Sequence, residues 1–317
     1  MYFLNPLMYD EHVLGQLETG SIFQNLTFFD HELHDLSDFQ LAIIGLDEPS
    51  LTAFRNRFYS LEDHFQLPIC DLGILKDDNH LKSNIDNLKE KVNLIIIGGR
   101  PLSFSNNTAV VGQVLGTEEN EKYISYQRHK SNLKNYNQAD EFQNVSLGEL
   151  RNNLRMVEPL LRDCLQMVFN LNAIRQSDLG IEANNMVGIT LEEASQISRY
   201  AGLSETMKCI QFPNLQPQFS FGNVTNEFGQ SVSTMAWYFV EGLLCLHYEN
   251  PDEDDHISYV VNTEYFEEPI TFLKGERSGK WWMKYGENDE YHPCMYEDFM
   301  QSRAGNIPDR LYKYCLS

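Results

Sequence analysis

The chain is poor in basic residues. It has 24 Lys and Arg against 46 Asp and Glu over 317 residues, a formal net charge of −22. A surface of that sign repels phosphate backbones and anionic headgroups, so no nucleic-acid partner is expected. The surplus of acid is read as an aid to solubility. Long apolar runs are missing too. No segment approaches the roughly 18 apolar residues that a membrane span needs, so membrane insertion is not expected. Residues 1–7 lack a basic stretch, and Asp10, Glu11 and His12 break any apolar run, so no secretory leader is read there. Six cysteines, at 70, 164, 209, 245, 294 and 315, contain no Cys-x-x-Cys pair. They read as reduced thiols of a cytoplasmic protein and not as a disulfide framework. No internal repeat is found. The chain also lacks a Gly-x-Ser-x-Gly elbow, a phosphate-binding Walker loop, a Gly-x-Gly-x-x-Gly turn and a His-Glu-x-x-His helix.

What remains is an alternation of short apolar segments and amphipathic ones. Residues 39–45 form a short apolar run ending in Gly45, the pattern of a buried parallel strand. A helix is expected from Ser50, taken as its N-cap. A second helix is expected over 81–91, and a second buried strand over 92–97 ends at Gly98-Gly99, where a tight turn needs glycine. A helix over 151–162 leads into an apolar strand at 165–171. A polar loop comes next, then a helix over 190–200 with Thr190 and Glu193 as capping box and Gly202 as C-cap. Residues 208–212 make another buried strand, 229–246 a long apolar helix, and 257–262 and 270–273 two late strands. Loops after the carboxyl ends of strands in such a sheet are where ligands bind.

Isolated polar clusters carry little. His31 and His34 lie three apart in an N-terminal arm and read as incidental. His129 has no acid at ligand spacing. The acidic run 249–255 lacks the spacing and glycine of a calcium loop and reads as solvated. Trp281 and Trp282 read as packing anchors.

Several segments resemble the ureohydrolase family of arginase, agmatinase and formimidoylglutamase. Pro68-Ile69-Cys70-Asp71-Leu72-Gly73, Glu193-Ala194-Ser195-Gln196-Ile197-Ser198-Arg199-Tyr200-Ala201-Gly202 and the segments around Trp281-Trp282-Met283, His292-Pro293-Cys294 and Ile307-Pro308-Asp309-Arg310 are similar to a formimidoylglutamase-like branch. The resemblance implies manganese ligands on two motifs and a substrate contact on a third. Ser-x-Asp-x-Asp corresponds to Val168-Phe169-Asn170-Leu171-Asn172. Gly-Gly-x-His corresponds to Gly98-Gly99-Arg100-Pro101. Glu-x-Asn-Pro, which helps hold substrate, corresponds to Asn214-Leu215-Gln216-Pro217. The family's Asp-x-His-x-Asp strand has no counterpart in 101–140, and a strand-bearing segment is expected to have been lost or replaced there. Asp71 is read as positioning backbone.

The expected fold is therefore α/β: a three-layer α/β/α arginase-like fold with a mainly parallel central sheet. Residues 1–38 are taken as an arm. Residues 39–317 are taken as one ureohydrolase-like domain with a C-terminal extension from about 257. Two manganese ions need anionic oxygens and imidazole, and amides stand in their place, so no catalytic residue and no metal ligand is assigned. Gly98, Gly99, Pro101, Asn170, Asn172 and Asn214 are assigned to a vestigial cleft. The first functional reading is a non-catalytic scaffold or protein-interaction module, with protein partners or self-association. The alternatives are a metal-dependent hydrolase of formimidoylglutamate or another linear amidine with a rebuilt site, and a metal-free small-molecule sensor.

Overall fold

Ten apolar segments become the strands of one sheet in the computed structural model, which describes residues 4–5, 20–29, 35–75, 80–102, 107–112, 121–127, 129, 144–179, 186–213, 223–265, 267–285 and 290–311. In chain order the strands are β1 (Leu4–Asn5), β2 (Leu26–Phe28), β3 (Leu41–Gly45), β4 (Ile69–Leu75), β5 (Asn93–Ile97), β6 (Thr108–Val111), β7 (Glu121–Tyr126), β8 (Val145–Ser146), β9 (Gln166–Phe169) and β10 (Cys209–Phe212). They stand in the order β1-β4-β3-β5-β10-β9-β6-β7-β8, with β2 also on β4. Every pairing is parallel except β1 on β4. Buried β-branched and aliphatic residues fill the central strands, as expected where both faces of a parallel sheet are covered.

Helices α1 (Glu48–Phe58), α2 (Leu81–Lys89), α3 (Leu147–Asn152), α4 (Val157–Leu161), α5 (Gln176–Leu179), α6 (Leu191–Gly202) and α7 (Asn223–Leu244) supply the outer layers. All but α2 pack on one face, around Phe54, Phe58, Phe169, Phe212 and Phe239. The other face receives α2 through Leu81, Ile85 and Leu88, which meet Ala42, Ile44, Cys70, Leu94 and Ile96. This is the three-layer α/β architecture read from the sequence.

Local chemistry moves several boundaries. The first helix is capped by Asp47, whose side chain accepts from Ser50 N at 2.9 Å, so Ser50 lies inside the helix. Pro49 fits the first turn, where its missing N–H costs nothing. The expected helix over 151–162 is broken. Asn153 takes an extended conformation between α3 and the next turn, and its side chain accepts from Arg155 N. Thr190 and Glu193 do form the capping box of α6. Gly202 is not its C-cap, which is Leu203. A Cβ at Gly202 would stand 2.2 Å from Phe239 O, and one at Gly242 would stand 2.3 Å from Arg199 O. Glycine is needed there because α6 and α7 cross almost in backbone contact, and Arg199 Nε to Glu241 Oε2 at 2.8 Å ties the same pair.

Two expectations about segments change more. The stretch 101–140, where a strand-bearing segment was expected to be lost or replaced, does carry strands, and β6 is buried throughout and seated between β9 and β7. Four residues of Thr-Ala-Val-Val in a polar stretch are too short a run to show periodicity. The stretch 1–38 supplies β1 and β2 to the sheet edge at β4. His31 and His34 lie outside the described residues. His129 is exposed.

After α7 the chain builds a second sheet from β11 (His256–Val261), β12 (Ile270–Gly275), β13 (Trp281–Tyr285) and β14 (His292–Cys294), antiparallel throughout, with α8 (Tyr296–Arg303) after it. Four strands replace the expected pair. Both tryptophans are buried and face opposite sides of the strand, as its alternation requires. Trp281 stacks on Phe299 at 5.3 Å, and Trp282 lies under the Arg162 guanidinium at 5.2 Å. The acidic run is not wholly solvated, because Glu249 is buried. Burial opposes its ionisation. Hydrogen bonds from the Ser278 hydroxyl and from the N–H groups of Arg277 and Ser278, with His256 nearby, outweigh that and hold its pKa below the ordinary carboxylate value. Among the described residues no helix is long and apolar enough to cross a membrane.

Asp71 is the polar centre of the β3–β4 half. It is buried, receives Arg55 Nε at 2.8 Å and Gly73 N at 2.8 Å, and also accepts from the second Arg55 nitrogen and the Tyr59 hydroxyl. The backbone role read from the sequence is met by the Gly73 bond, and the larger part is an ion pair fixing α1 to β4. Asp71→Asn leaves the Arg55 charge buried and is expected to cost about 3–5 kcal/mol in denaturant unfolding. Glu249→Gln is expected to remove a stabilisation that is complete above the ordinary carboxylate pKa and is lost as pH falls through the lower folded-state value. Unfolding midpoints of the unaltered chain and this variant, measured between about pH 3 and 7, should therefore converge at the acid end.

Candidate functional site

Sheet register places the candidate residues in one line. Ile97 pairs with Gly45 and Phe212, and Val111 pairs with Phe169 and Ile124. Phe169 and Phe212 stand one residue beyond the Val168–Gln211 pair, with ring centroids 6.1 Å apart. This apolar row points into the larger core. The next residue on each strand begins the carboxyl-end crest, and these are Gly98, Pro213, Asn170, Gly112 and Ser125. The structure thus brings Gly98 and Gly99 after β5, and Asn170 and Asn172 after β9, to the same edge of the sheet on either side of β10. Pro101 lies further along the segment after β5, and Asn214 is outside the described residues.

The segment from 98 to 107 joins β5 to the parallel strand β6, so it must travel from the carboxyl edge of the sheet back to the amino edge. No helix is found in its described residues. Its start is fixed by two left-handed glycines, Gly98 at φ +81° and Gly99 at φ +68°. Gly99 N donates to Asp47 Oδ2 at 2.7 Å, so the carboxylate that caps α1 also holds this turn. A Cβ on Gly98 would collide with that carboxylate.

Two glutamines hold the crossover beyond this turn. Gln211 on β10 is fully buried. Its Nε2 donates to Arg100 O at 2.8 Å and Gly98 O at 3.3 Å, and its Oε1 accepts from Leu102 N at 2.9 Å. Gln166 on β9, also fully buried, donates Nε2 to Leu102 O at 2.5 Å. Both side chains leave the same face of the sheet, as alternation along parallel strands requires. They satisfy backbone groups of Gly98, Arg100 and Leu102 at the start of the crossover. Leu102 is pressed into the smaller core beside them.

Asn170 is fully buried. Its Nδ2 and its own N–H both donate to Val111 O, at 3.2 and 3.1 Å, while its Oδ1 has no hydrogen-bond partner among the described residues. Asn172 is exposed, and its Oδ1 lies where a Cβ on Gly112 would come within 2.6 Å. Ser125 was not singled out by the sequence. It is buried in β7 with φ +62°, at a shift in register with β8, and its hydroxyl also lacks a partner among the described residues. The sequence did contain a signal for the glutamines: a polar residue inside Gln-Met-Val-Phe and Cys-Ile-Gln-Phe must find partners if the strand is buried.

The donor set is neutral. Along the crest stand two glycines, a proline, an amide and a hydroxyl, and among the described residues no group of three His, Cys, Asp or Glu side chains is placed to hold a metal ion. A manganese pair does not fit these residues, because four positive charges need anionic ligands. Removing the clamp tests its weight. Gln211→Ala strands three backbone groups and is expected to cost about 1–3 kcal/mol. Hydrogen exchange should speed up at the Leu102 amide while amides in the centres of β9 and β10 keep their protection.

No protein-family profile matches the chain, and no curated protein matches it. Solved structures do match. A formiminoglutamase from Trypanosoma cruzi, crystallised with manganese, superposes with a TM-score of 0.51 at 16% identity, over 68% of this chain and 97% of its own. An arginase superfamily protein from Trypanosoma cruzi gives 0.53 at 15% identity, over 68% and 97%. The formimidoylglutamase of Bacillus subtilis gives 0.52 at 12% identity, over 76% and 95%. These likenesses span nearly the whole of each neighbour, and this chain accordingly has the arginase fold.

Proposed function

We propose that this chain is a non-catalytic relative of the arginase-fold hydrolases, a scaffold or interaction module whose partners are proteins, copies of itself among them. The single observation that carries the reading is the state of the strand ends. The crossover after β5 is fastened by Gln211 and Gln166, and Asn170 turns its Nδ2 to a backbone carbonyl. A pair of divalent cations would lower the pKa of a bridging water for attack on an amidine carbon. Amides and glycines offer neither the charge to hold such a pair nor a base of their own.

A competing reading is a hydrolase of formimidoylglutamate or another linear amidine, favoured by the enzymes among the neighbouring structures. It requires acidic and imidazole ligands to come from segments outside the described residues. A third reading, a metal-free sensor, is favoured by the oxygens of Asn170 and Ser125, which have no hydrogen-bond partner among the described residues and would receive donors from a small polar ligand.

One variant separates the first two readings. In Asn170→Asp a carboxylate replaces the amide that donates to Val111 O, so a bond is lost and two acceptors face each other. The non-catalytic reading expects a loss of about 1–3 kcal/mol that manganese does not restore, with no ammonia or formamide release from formimidoylglutamate by either protein. Manganese-dependent turnover by the unaltered chain, or restored stability of the variant on adding manganese, would establish the hydrolase.

A further inference from the structure

A cavity of about 450 Å³ lies at the seam between the three-layer body and the C-terminal sheet, away from the strand ends. It is floored by the turn between β12 and β13 and walled by α4, the end of α6 and the start of α8. Its size is that of a site for a small organic molecule.

The lining runs against the charge of the chain. Arg155, Arg162, Arg277 and Lys280 meet only Glu158 and Glu297 there, in a protein of net charge −22. Two of these cations are already used. Arg162 grips Glu158 through two bonds of 2.7 and 2.6 Å and gives a third to Trp281 O at 2.8 Å, and Lys280 reaches Glu205 at 2.7 Å. They hold the two sheets' surroundings together and form the wall. Arg155 and Arg277 are different: both are exposed, and neither has a carboxylate at ion-pair distance among the described residues. Two guanidinium groups without an ion-pair partner among the described residues, in one cavity, suit a doubly charged oxyanion such as a phosphate, which arginine binds through paired N–H donors.

The remaining wall is aromatic. Tyr200, Trp281 and Tyr296 line it, with Trp281 and Tyr296 centroids 5.4 Å apart and Tyr296 half exposed at the lip. A flat ring gains contact on such a wall whatever its substituents. Glu297, in the first turn of α8, offers an acceptor for hydroxyl groups.

We propose that this cavity binds a nucleoside monophosphate, with its phosphate on Arg155 and Arg277 and its base against the aromatic wall. This site is separate from the strand ends and does not depend on whether they are catalytic. The test is calorimetric titration of the full chain with AMP, GMP, CMP and UMP, with adenosine and inorganic phosphate as part-ligands. At least one mononucleotide should bind in the micromolar range, about tenfold or more tighter than either part-ligand. Arg155→Ala and Arg277→Ala should each weaken it about tenfold or more, while Arg57→Ala, an exposed cation on α1, should bind as the unaltered chain does. Both arginines are surface residues, so circular dichroism should confirm folded variants. Failure of all four mononucleotides to bind at millimolar concentration overturns the proposal. So do arginine variants that bind normally, or inorganic phosphate that binds as tightly as the nucleotides.

Discussion

A parallel sheet imposes one demand that shapes the rest of this molecule. Each strand must be succeeded by a return across a sheet face, and that return must satisfy its own backbone groups. From β3 to β4, β4 to β5 and β9 to β10 the return carries a helix. In the described residues after β5 the backbone is held by side chains, the amides of Gln211 and Gln166 and the carboxylate of Asp47. Both glutamines are fully buried, so each bond to the crossover is made where no water competes. The same bonds draw the residues after Gly99 toward the sheet face and shape the strand ends.

Energetically the structure rests on a few buried polar points within a large apolar body. The Asp71–Arg55 pair fixes α1 against β4. Glu249 fixes the β12–β13 turn of the second sheet. Arg162, seated between Glu158, Trp281 O and the face of Trp282, joins the two sheets' surroundings. Buried charges of this kind are costly when a partner is lost and add little over an apolar replacement. Their evident work is to set which element meets which.

Much of the fold was legible because its strands are apolar and end in glycine or in a cap. Leu41–Gly45, Asn93–Ile97 and Thr190 with Glu193 could be read directly. What escaped reading had a physical reason each time. β6 is four residues long and lies in polar sequence. Gly202 serves a helix crossing, and no local pattern shows which helix it meets. Glu249 looks like its acidic neighbours, and only the distant Arg277 and Ser278 make it a buried anchor. The candidate site divides in the same way. Asn170 and Asn172, where the resemblance implies acids, were expected at the strand ends from the sequence. The clamp was not, because Gln211 and Leu102 are 109 residues apart. Ser125 could not have been found at all, since a positive φ on serine leaves no compositional trace.

The central proposal is that the strand ends hold a polar clamp and no metal pair. Elemental analysis of the purified protein after incubation with manganese and removal of free ions tests it most directly, because metal retained by such a site must be held by deprotonated ligands. Less than about a tenth of an equivalent per chain is expected from neutral amide donors. Close to two equivalents, on the order of the pair that such a hydrolytic site takes, would mean that anionic ligands converge there after all, and would contradict the proposal.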